Sequence, residues 1–294
     1  MKIQEGDEIK QLTIISGKGG TGKTSIAAAF ASLAKNAVFA DCDVDAADLH
    51  LILKPNINET IEFSGLKMAC KDPEKCVECG ECREACRFDA IDENFEVSVI
   101  DCEGCGVCVH VCPEEALSLV DRNSGYAYIS ETRFGPMAHA KLNVAEETSG
   151  KLVTLVRNNA RILAKKNGKE LIIIDGPPGI GCPVISSITG VDLVLIVTEP
   201  TKSGIHDLKR ILGVAEHFKI PSAVCVNKCD INTQQSKSIQ KYCQINEIPV
   251  VGLIPYDTIF TKAMIKGKSI IEYTDGQISE HIKIMWGKVE GMFV

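Results

Sequence analysis

Eight of the 14 cysteines lie within residues 76–112, and they constrain this chain more than any other feature. They repeat one spacing twice: two residues separate the first three cysteines of each set, and three residues separate the third from the fourth. The sets are Cys76, Cys79, Cys82 and Cys86, then Cys102, Cys105, Cys108 and Cys112. Every cysteine of the first set recurs 26 positions later, which indicates an internal duplication of one short unit.

The duplicated spacing predicts two iron–sulfur centres. A [4Fe–4S] cluster takes one thiolate on each iron, and three cysteines two residues apart can surround three of its corners. In two-cluster ferredoxins the fourth cysteine of such a motif ligates the other cluster. The predicted ligand sets are therefore Cys76, Cys79, Cys82 and Cys112 for one cluster, and Cys102, Cys105, Cys108 and Cys86 for the other.

Zinc is the alternative, because two Cys-x-x-Cys pairs can bind it tetrahedrally. A zinc site requires neither the third and fourth cysteines at these spacings nor the whole pattern twice, so the duplication favours iron–sulfur clusters. One departure from the bacterial pattern is Arg87, which stands where Pro113 follows the last cysteine of the second set. This departure removes no ligand.

The composition is that of a globular chain with reduced thiols. Apolar residues make up 45% of the 294 residues, which is enough for a large core. The first residues contain no apolar targeting segment, so we expect a cytoplasmic protein with no disulfide framework. No apolar run approaches ~18 residues, and we expect no integral membrane segment. The net charge of −7 and the 5% aromatic content argue against a nucleic-acid partner.

A second motif predicts nucleotide binding. Residues 17–24 read Gly-Lys-Gly-Gly-Thr-Gly-Lys-Thr between an apolar run and an alanine-rich helix predicted from about Ser25 to Lys35. In this context the pattern is a P-loop, whose backbone N–H groups cradle phosphates. Lys23 is expected to neutralise the β/γ-phosphates and Thr24 to hold Mg²⁺. The predicted nucleotide contacts are Gly17, Lys18, Gly19, Gly20, Thr21, Gly22, Lys23, Thr24 and Ser25.

Apolar runs that alternate with helical patterns predict an α/β fold with a mostly parallel, doubly wound sheet. The runs lie at residues 12–16, 37–41, 171–175, 193–198, 223–227 and 250–254. Three of them lead into polar groups: Gly17 and Lys18 after the first, Asp41 and Asp43 after the second, and residues 175–179 after the third. Because ligands bind at the carboxyl ends of parallel strands, we expect these groups to share one site.

The loop with its additional lysine, Lys18, resembles the deviant Walker A motif of the MinD/ParA/Mrp group of P-loop ATPases. The similarity continues through residues 41–45 (Asp-Cys-Asp-Val-Asp) as switch I and residues 175–179 (Asp-Gly-Pro-Pro-Gly) as switch II. It extends to residues 198–201 and 226–228. Together with the cysteine block, the chain resembles MinD-superfamily ATPases that carry an inserted two-cluster [4Fe–4S] ferredoxin domain.

This resemblance implies an ATP-dependent homodimer, or a heterodimer with a related ATPase, in which two subunits enclose two ATP molecules. Lys18 would reach the nucleotide of the partner subunit and supply a cation in trans, as an arginine finger does. Asp43 would orient or activate the attacking water, and Asp41 and Asp175 would hold Mg²⁺ through its water shell. The expected catalytic residues are Lys18, Lys23 and Asp43.

The resemblance also implies that Asn227 reads the edge of the purine base. Residues 227–230 read Asn-Lys-Cys-Asp, which fits the N-K-x-D pattern of guanine readers as well. GTP therefore stays open beside ATP, which the resemblance favours.

The two motifs predict a nested domain arrangement. Asp43 and Asp175 lie 132 positions apart, more than a helix–strand connection needs. We predict the first part of the ATPase domain at 1–64, a small α+β ferredoxin-like domain at 65–120, and the second part of the ATPase domain at 121–294. Alternating residues at 126–130 and 137–144 predict a hairpin that returns to the sheet.

Three functions are consistent with these features. The leading one is a slow, partner-stimulated ATPase whose cycle controls the iron–sulfur domain, in cluster or metallocofactor maturation or in ATP-gated electron transfer to an unidentified redox or cofactor-acceptor protein. The alternatives are a ferredoxin-type carrier or redox sensor on a P-loop scaffold, and a ParA/MinD-like positioning ATPase. Of the remaining cysteines, Cys182, Cys225 and Cys229 are expected to be core residues, and Cys70 a spare thiol.

Overall fold

A computed structural model describes residues 9–143, 146 and 149–293. The other positions, including Val144 of the predicted hairpin, lie outside the described residues. The chain forms two compact units. The first comprises Met1–Thr60, Ala127–Lys141 and Ser149–Val294, and the second comprises Ile61–Tyr126 and Leu142–Thr148.

Over the described residues, nine strands form one sheet in the order β3-β4-β5-β2-β6-β1-β7-β8-β9. The strands are β1 (Lys10–Ser16), β2 (Ala37–Asp41), β3 (Asn56–Lys71), β4 (Leu117–Thr132), β5 (Gly135–Leu142), β6 (Leu171–Pro178), β7 (Leu193–Thr198), β8 (Ser222–Asn227) and β9 (Val250–Ile254). The pairs β1–β6, β1–β7, β2–β5, β2–β6, β7–β8 and β8–β9 are all parallel. The predicted α/β fold with a mostly parallel sheet is confirmed.

Helices connect most of these strands. In chain order they are α1 (Lys23–Leu33), α2 (Leu49–Leu53), α3 (Glu81–Glu84), α4 (Val107–Val111), α5 (Ser149–Lys166), α6 (Cys182–Ile188), α7 (Lys202–His217), α8 (Thr233–Ile245), α9 (Ile259–Ile265), α10 (Ile270–Tyr273) and α11 (Gln277–Glu290). A short 3₁₀ turn, Gly291–Phe293, follows α11. Among the described residues, no helix is both long and apolar enough to cross a bilayer.

The core of the first unit follows from the strand sequences. All six residues of β7 are buried, as expected for a central parallel strand covered on both faces. Helix α11 buries its apolar face, and Trp286 packs at 4.8 Å between ring centroids against Phe30 of α1. This helix is therefore part of the core, which its sequence pattern favours over a membrane-surface element.

The second unit is built around the duplicated motif. Gly80 and Gly106 precede α3 and α4 with φ of 89° and 77°, so the two halves of the duplication turn in the same way. A small core lies between them, and its buried members are Ala69, Ala90, Ile91, Cys102, Cys108 and Leu117. The compact unit is wider than the predicted 65–120, because the long strands β3 and β4 continue on both sides of that range.

Candidate functional site

The loop between β1 and α1 has the backbone shape that a phosphate cradle requires. Gly20 and Gly22 have φ of 77° and 94°, values at which a side chain causes strain. A Cβ atom on Gly22 would also lie 2.4 Å from Nδ2 of Asn227. Helix α1 begins at Lys23, two residues before the predicted start, so this lysine belongs to the helix terminus that attracts anions.

The Lys23 ammonium is the centre of the predicted site. Its Nζ atom lies 3.0 Å from Oδ2 of Asp43 and 3.1 Å from Oδ1 of Asp175, and the side chain is 6% exposed. The carboxyl ends of β1, β2 and β6 thus bring together three residues that the sequence predicted for one site. Binding of phosphate oxygens to Lys23 requires these carboxylates to share or release the ammonium.

The site is strongly charged and poorly hydrated. Burial raises the pKa of Asp41 and of Asp175, and although the Lys23 ammonium lowers both, each pKa stays above its ordinary value. Burial lowers the pKa of Lys23, but the attraction of Asp175 and Asp43 outweighs it and leaves that pKa above its ordinary value. Two carboxylates contact the one ammonium and the Asp41 carboxyl lies nearby, so a divalent cation would offset the excess negative charge.

The donor set suits magnesium. Oδ2 of Asp175 and Oγ1 of Thr21 are buried and have no hydrogen-bond partner among the described residues. The Thr24 hydroxyl oxygen lies 3.4 Å from Nζ of Lys23, beside these groups. Carboxylate and hydroxyl oxygens beside a phosphate are the ligands that Mg²⁺ prefers. Asp41 is placed differently: its two oxygens accept the backbone N–H groups of Asp43 and Leu49, at 3.2 and 3.1 Å, and so hold the loop after β2.

The turn after β8 holds the phosphate loop from the other side. Nδ2 of Asn227 donates to the Thr21 carbonyl at 2.7 Å, and Nζ of Lys228 donates to the Gly20 carbonyl at 3.0 Å. A cavity of about 210 Å³ opens beside these contacts. Its walls include Ser25, Asn227, Pro255, Tyr256, Asp257, Phe260 and Met264. The sequence singled out Ser25 and Asn227 for this region and missed residues 255–264.

Lys18 lies at the surface beside this loop and is bound within its own chain. Its ammonium pairs with Glu199, and it lies 3.4 Å from Oγ of Ser203. Glu199 also pairs with Lys228 at 3.2 Å. Although burial alone would raise it, the pKa of Glu199 is lowered by its hydrogen bonds with these two lysines. Sequence reasoning gave Glu199 no role, but its position at the carboxyl end of β7 could have identified it.

Comparisons with known proteins identify the family. Residues 12–270 match the CobQ/CobB/MinD/ParA nucleotide binding domain. The chain belongs to this family. An uncharacterized protein of Methanocaldococcus jannaschii is 36% identical to it, over 96% of this chain and 97% of that protein. An uncharacterized ATP-binding protein of the same organism is 25% identical, over 95% of this chain and 87% of its own length.

A solved relative has the same fold. The septum site-determining protein MinD of Pyrococcus horikoshii, whose structure is a complex with Mg-ADP, superposes with a TM-score of 0.60 over 97% of each chain. The sequences are 15% identical, so this likeness shows the fold alone.

The second unit of this MinD/ParA-family chain contains two cavities lined by cysteines. The cysteines that line the first are Cys76, Cys79, Cys82 and Cys112. Those that line the second are Cys86, Cys102, Cys105 and Cys108. Each cavity takes three cysteines from one motif and the fourth from the other. These are the two crossed sets that the spacing predicts.

The cysteines of the two cavities are not gathered into a single-ion site in the described residues. Within the part of the chain that the structure describes, no three Cys, His, Asp or Glu side chains are close enough to hold one metal ion together. A cubane cluster separates its four thiolates, because each binds a different corner. The Ala116 N–H also donates to Sγ of Cys112 at 3.2 Å, the kind of bond that tunes such a cluster.

The scattered cysteines divide by exposure. The expectation that Cys182 is buried is wrong: this residue is exposed at the first position of α6, where the chain leaves switch II and the helix begins before Pro183. Cys225 is buried as expected, Cys229 is half-buried, and Cys70 is exposed.

Proposed function

We propose that this MinD/ParA-family chain is an ATP-hydrolysing iron–sulfur protein whose second unit is a ferredoxin-like domain with two [4Fe–4S] clusters. The observation that carries the proposal is the pair of cavities, each lined by four cysteines from both halves of the duplication. Clusters bound there supply one-electron redox chemistry. The fold determines which four thiolates are grouped at each cavity and how exposed they are to water.

Within the first unit, different side chains have different roles in hydrolysis. Lys23 neutralises phosphate charge, Thr24 and Asp175 hold Mg²⁺ with Asp41 in support, and Asp43 orients the attacking water. Residues Gly17 to Ser25 cradle the phosphates, and Asn227 borders the base. Lys18 leaves Glu199 and reaches the nucleotide of a second subunit, which makes turnover depend on a homodimer or a heterodimer with a related ATPase.

ATP is the favoured nucleotide, because one relative is named as ATP-binding and a structural relative holds Mg-ADP. We infer that the nucleotide-dependent dimer cycle controls the iron–sulfur domain, either in cluster or metallocofactor maturation or in gated electron transfer to a redox or cofactor-acceptor protein.

Anaerobic purification tests the cluster assignment. We expect about eight irons and eight sulfides per chain, since each cubane contains four irons. Cys86→Ser should damage the second cluster although Cys86 belongs to the first motif, and Cys243→Ser, a buried cysteine of the first unit, serves as control. Two zinc ions per chain would refute the proposal.

A second candidate is a positioning ATPase of the ParA/MinD kind, which the MinD fold favours. Sedimentation with liposomes and with DNA, in ATP and in ADP, distinguishes it. ATP-dependent co-sedimentation would support this candidate, whereas ATP-dependent cluster reduction kinetics would support the first one. If the kinetics of cluster reduction were the same in ATP, ADP and buffer, the P-loop domain would be only a scaffold for a redox carrier.

A further inference from the structure

The two cysteine cavities have equivalent walls. Each of the twelve residues that line the first cavity has a counterpart 26 positions away that lines the second. The pairs include Lys71 with Val97, Glu78 with Gly104, Cys82 with Cys108, and Cys112 with Cys86. The duplication therefore produced two sites of the same geometry, and any chemical difference between them lies in a few substituted pairs.

Four of the pairs differ by one charge, and Lys71 with Val97 is the one among them that contains a cation. Lys71 is a lining residue of the first cavity, while its counterpart in the second is a valine. Nζ of Lys71 donates to the Asn94 carbonyl at 3.0 Å and pairs with Glu96, and the lysine side chain is 15% exposed. Its partner Glu96 is 68% exposed, so water screens the carboxylate more than the ammonium.

The carboxylates that line the cavities are more exposed to solvent than Lys71. Glu78 and Glu114 line the first cavity, Glu103 lines the second, and all three residues are exposed. Exposed charges act weakly because solvent and salt screen them. The shielded cation of Lys71 is therefore the main fixed charge that distinguishes the two sites.

Two cysteines of the second cavity are also more buried than their counterparts in the first. Cys102 and Cys108 of the second cavity are 8% and 9% exposed, whereas their counterparts Cys76 and Cys82 are half-buried. A reduced cluster carries one more negative charge than an oxidised one. That charge is favoured by a nearby cation and by water, and disfavoured in an apolar wall.

We propose that the charge of Lys71 raises the reduction potential at the first cavity. The first cavity is then the higher-potential site and the second the lower-potential one. The inference rests on the proposed iron–sulfur function. With clusters bound in both cavities, one electron from a low-potential one-electron donor would reside mainly at the first site. An electron on the second site would pass to an oxidised first site, with no proton or ligand exchanged.

The pseudo-symmetry supplies matched variants. Lys71→Met removes the cation, Lys71→Arg keeps it, and Val97→Lys places a cation at the equivalent half-buried position of the other cavity. Glu96→Gln removes the ion-pair partner and leaves the ammonium in place. The full-length protein is titrated anaerobically with dithionite, and the reduced clusters are followed by electron paramagnetic resonance.

The wild type should show two separate reduction waves. Lys71→Met should lower the upper wave by about tenfold in the reduction equilibrium, which equals about 59 mV for one electron. Lys71→Arg and Glu96→Gln should leave the upper wave in place or raise it. Val97→Lys should raise the lower wave.

Two results would overturn the inference: a single wave in the wild type, or a Lys71→Met shift that falls on the lower wave or is absent. Iron content and the visible spectrum are measured on every sample. A protein without iron refutes the proposed function, whereas two intact clusters with these contrary potentials refute only the role of Lys71.

Discussion

The nucleotide site and the cysteine cavities differ in where their polar side chains find partners. In the first unit, Lys23 is paired with Asp43 and Asp175, and Lys18 with Glu199, so the chain supplies the counter-charges itself. In the second unit, eight thiols surround two cavities, and the core between them consists of six buried residues, two of them cysteines. The comparison indicates that the first unit folds on its own contacts, whereas the second depends on what its thiols bind.

Removal of the proposed clusters should have the largest effect, and it should be confined to one unit. Structural metals supply folding free energy outright to domains with small cores. We expect iron chelation to abolish amide-exchange protection in residues 61–126, while β1 and β7 keep theirs. Equal protection of both units after complete iron loss would contradict the view that only the second unit depends on what its thiols bind.

Substitution of Lys23 should weaken nucleotide binding by roughly 10- to 100-fold, because charge-assisted hydrogen bonds contribute about 1.5–3 kcal/mol. The measurement is calorimetric titration of Lys23→Ala with Mg-ATP, and Lys202→Ala at the exposed start of α7 is the control. Iron content should stay that of the wild type. A nucleotide-binding loss that also removed the clusters would show that the units are not independent.

Asp175→Asn should stabilise the protein by about 1–2 kcal/mol at pH 8, because it removes one buried charge from a site with excess negative charge. The raised pKa of Asp175 means that the folded state binds protons more tightly than the unfolded chain, whose pKa is near 3.8. Stability therefore falls as the pH rises from about 4 through the folded pKa.

Thermal unfolding in the absence of nucleotide, measured from pH 5 to pH 8, tests this sign. The wild-type slope should be steeper than that of Asp175→Asn, and the variant should lose Mg²⁺-dependent nucleotide binding. A variant less stable than the wild type at pH 8 would contradict the pKa assignment.

The smallest effect on stability should come from the Lys18–Glu199 pair, since partly exposed ion pairs contribute about 0–1 kcal/mol. Lys18→Ala should nevertheless abolish turnover, while Glu199→Gln, which frees the lysine, should retain it. Steady-state phosphate release measures both variants. Loss of turnover in Glu199→Gln alone would mean that the pair, and not the free lysine, is the active arrangement.

Spacing made much of this arrangement predictable. The loop 17–24 and the eight cysteines are local motifs, so Lys23 and both cavity sets could be named from the sequence. The ends of β2 and β6 followed from the rule that parallel strands present ligands at their carboxyl ends.

Long-range packing was not predictable in the same way. The exposure of Cys182 depends on the orientation of α6, and the contact of Lys18 with Glu199 joins loops 181 positions apart. The shielding of Lys71 depends on Asn94 and Glu96, which a helix or strand period does not pair with it. These features arise from tertiary contacts that no local pattern records.

The crossing of the cysteine sets also has an evolutionary consequence. The first cavity needs Cys112 from the second half of the duplication, and the second cavity needs Cys86 from the first half. Deletion of either half would leave the survivor with three thiols at one site and a single thiol at the other. The crossing therefore ties the two copies together: individual residues such as Lys71 and Val97 can differ between them, but neither copy can be removed without leaving both cavities incomplete.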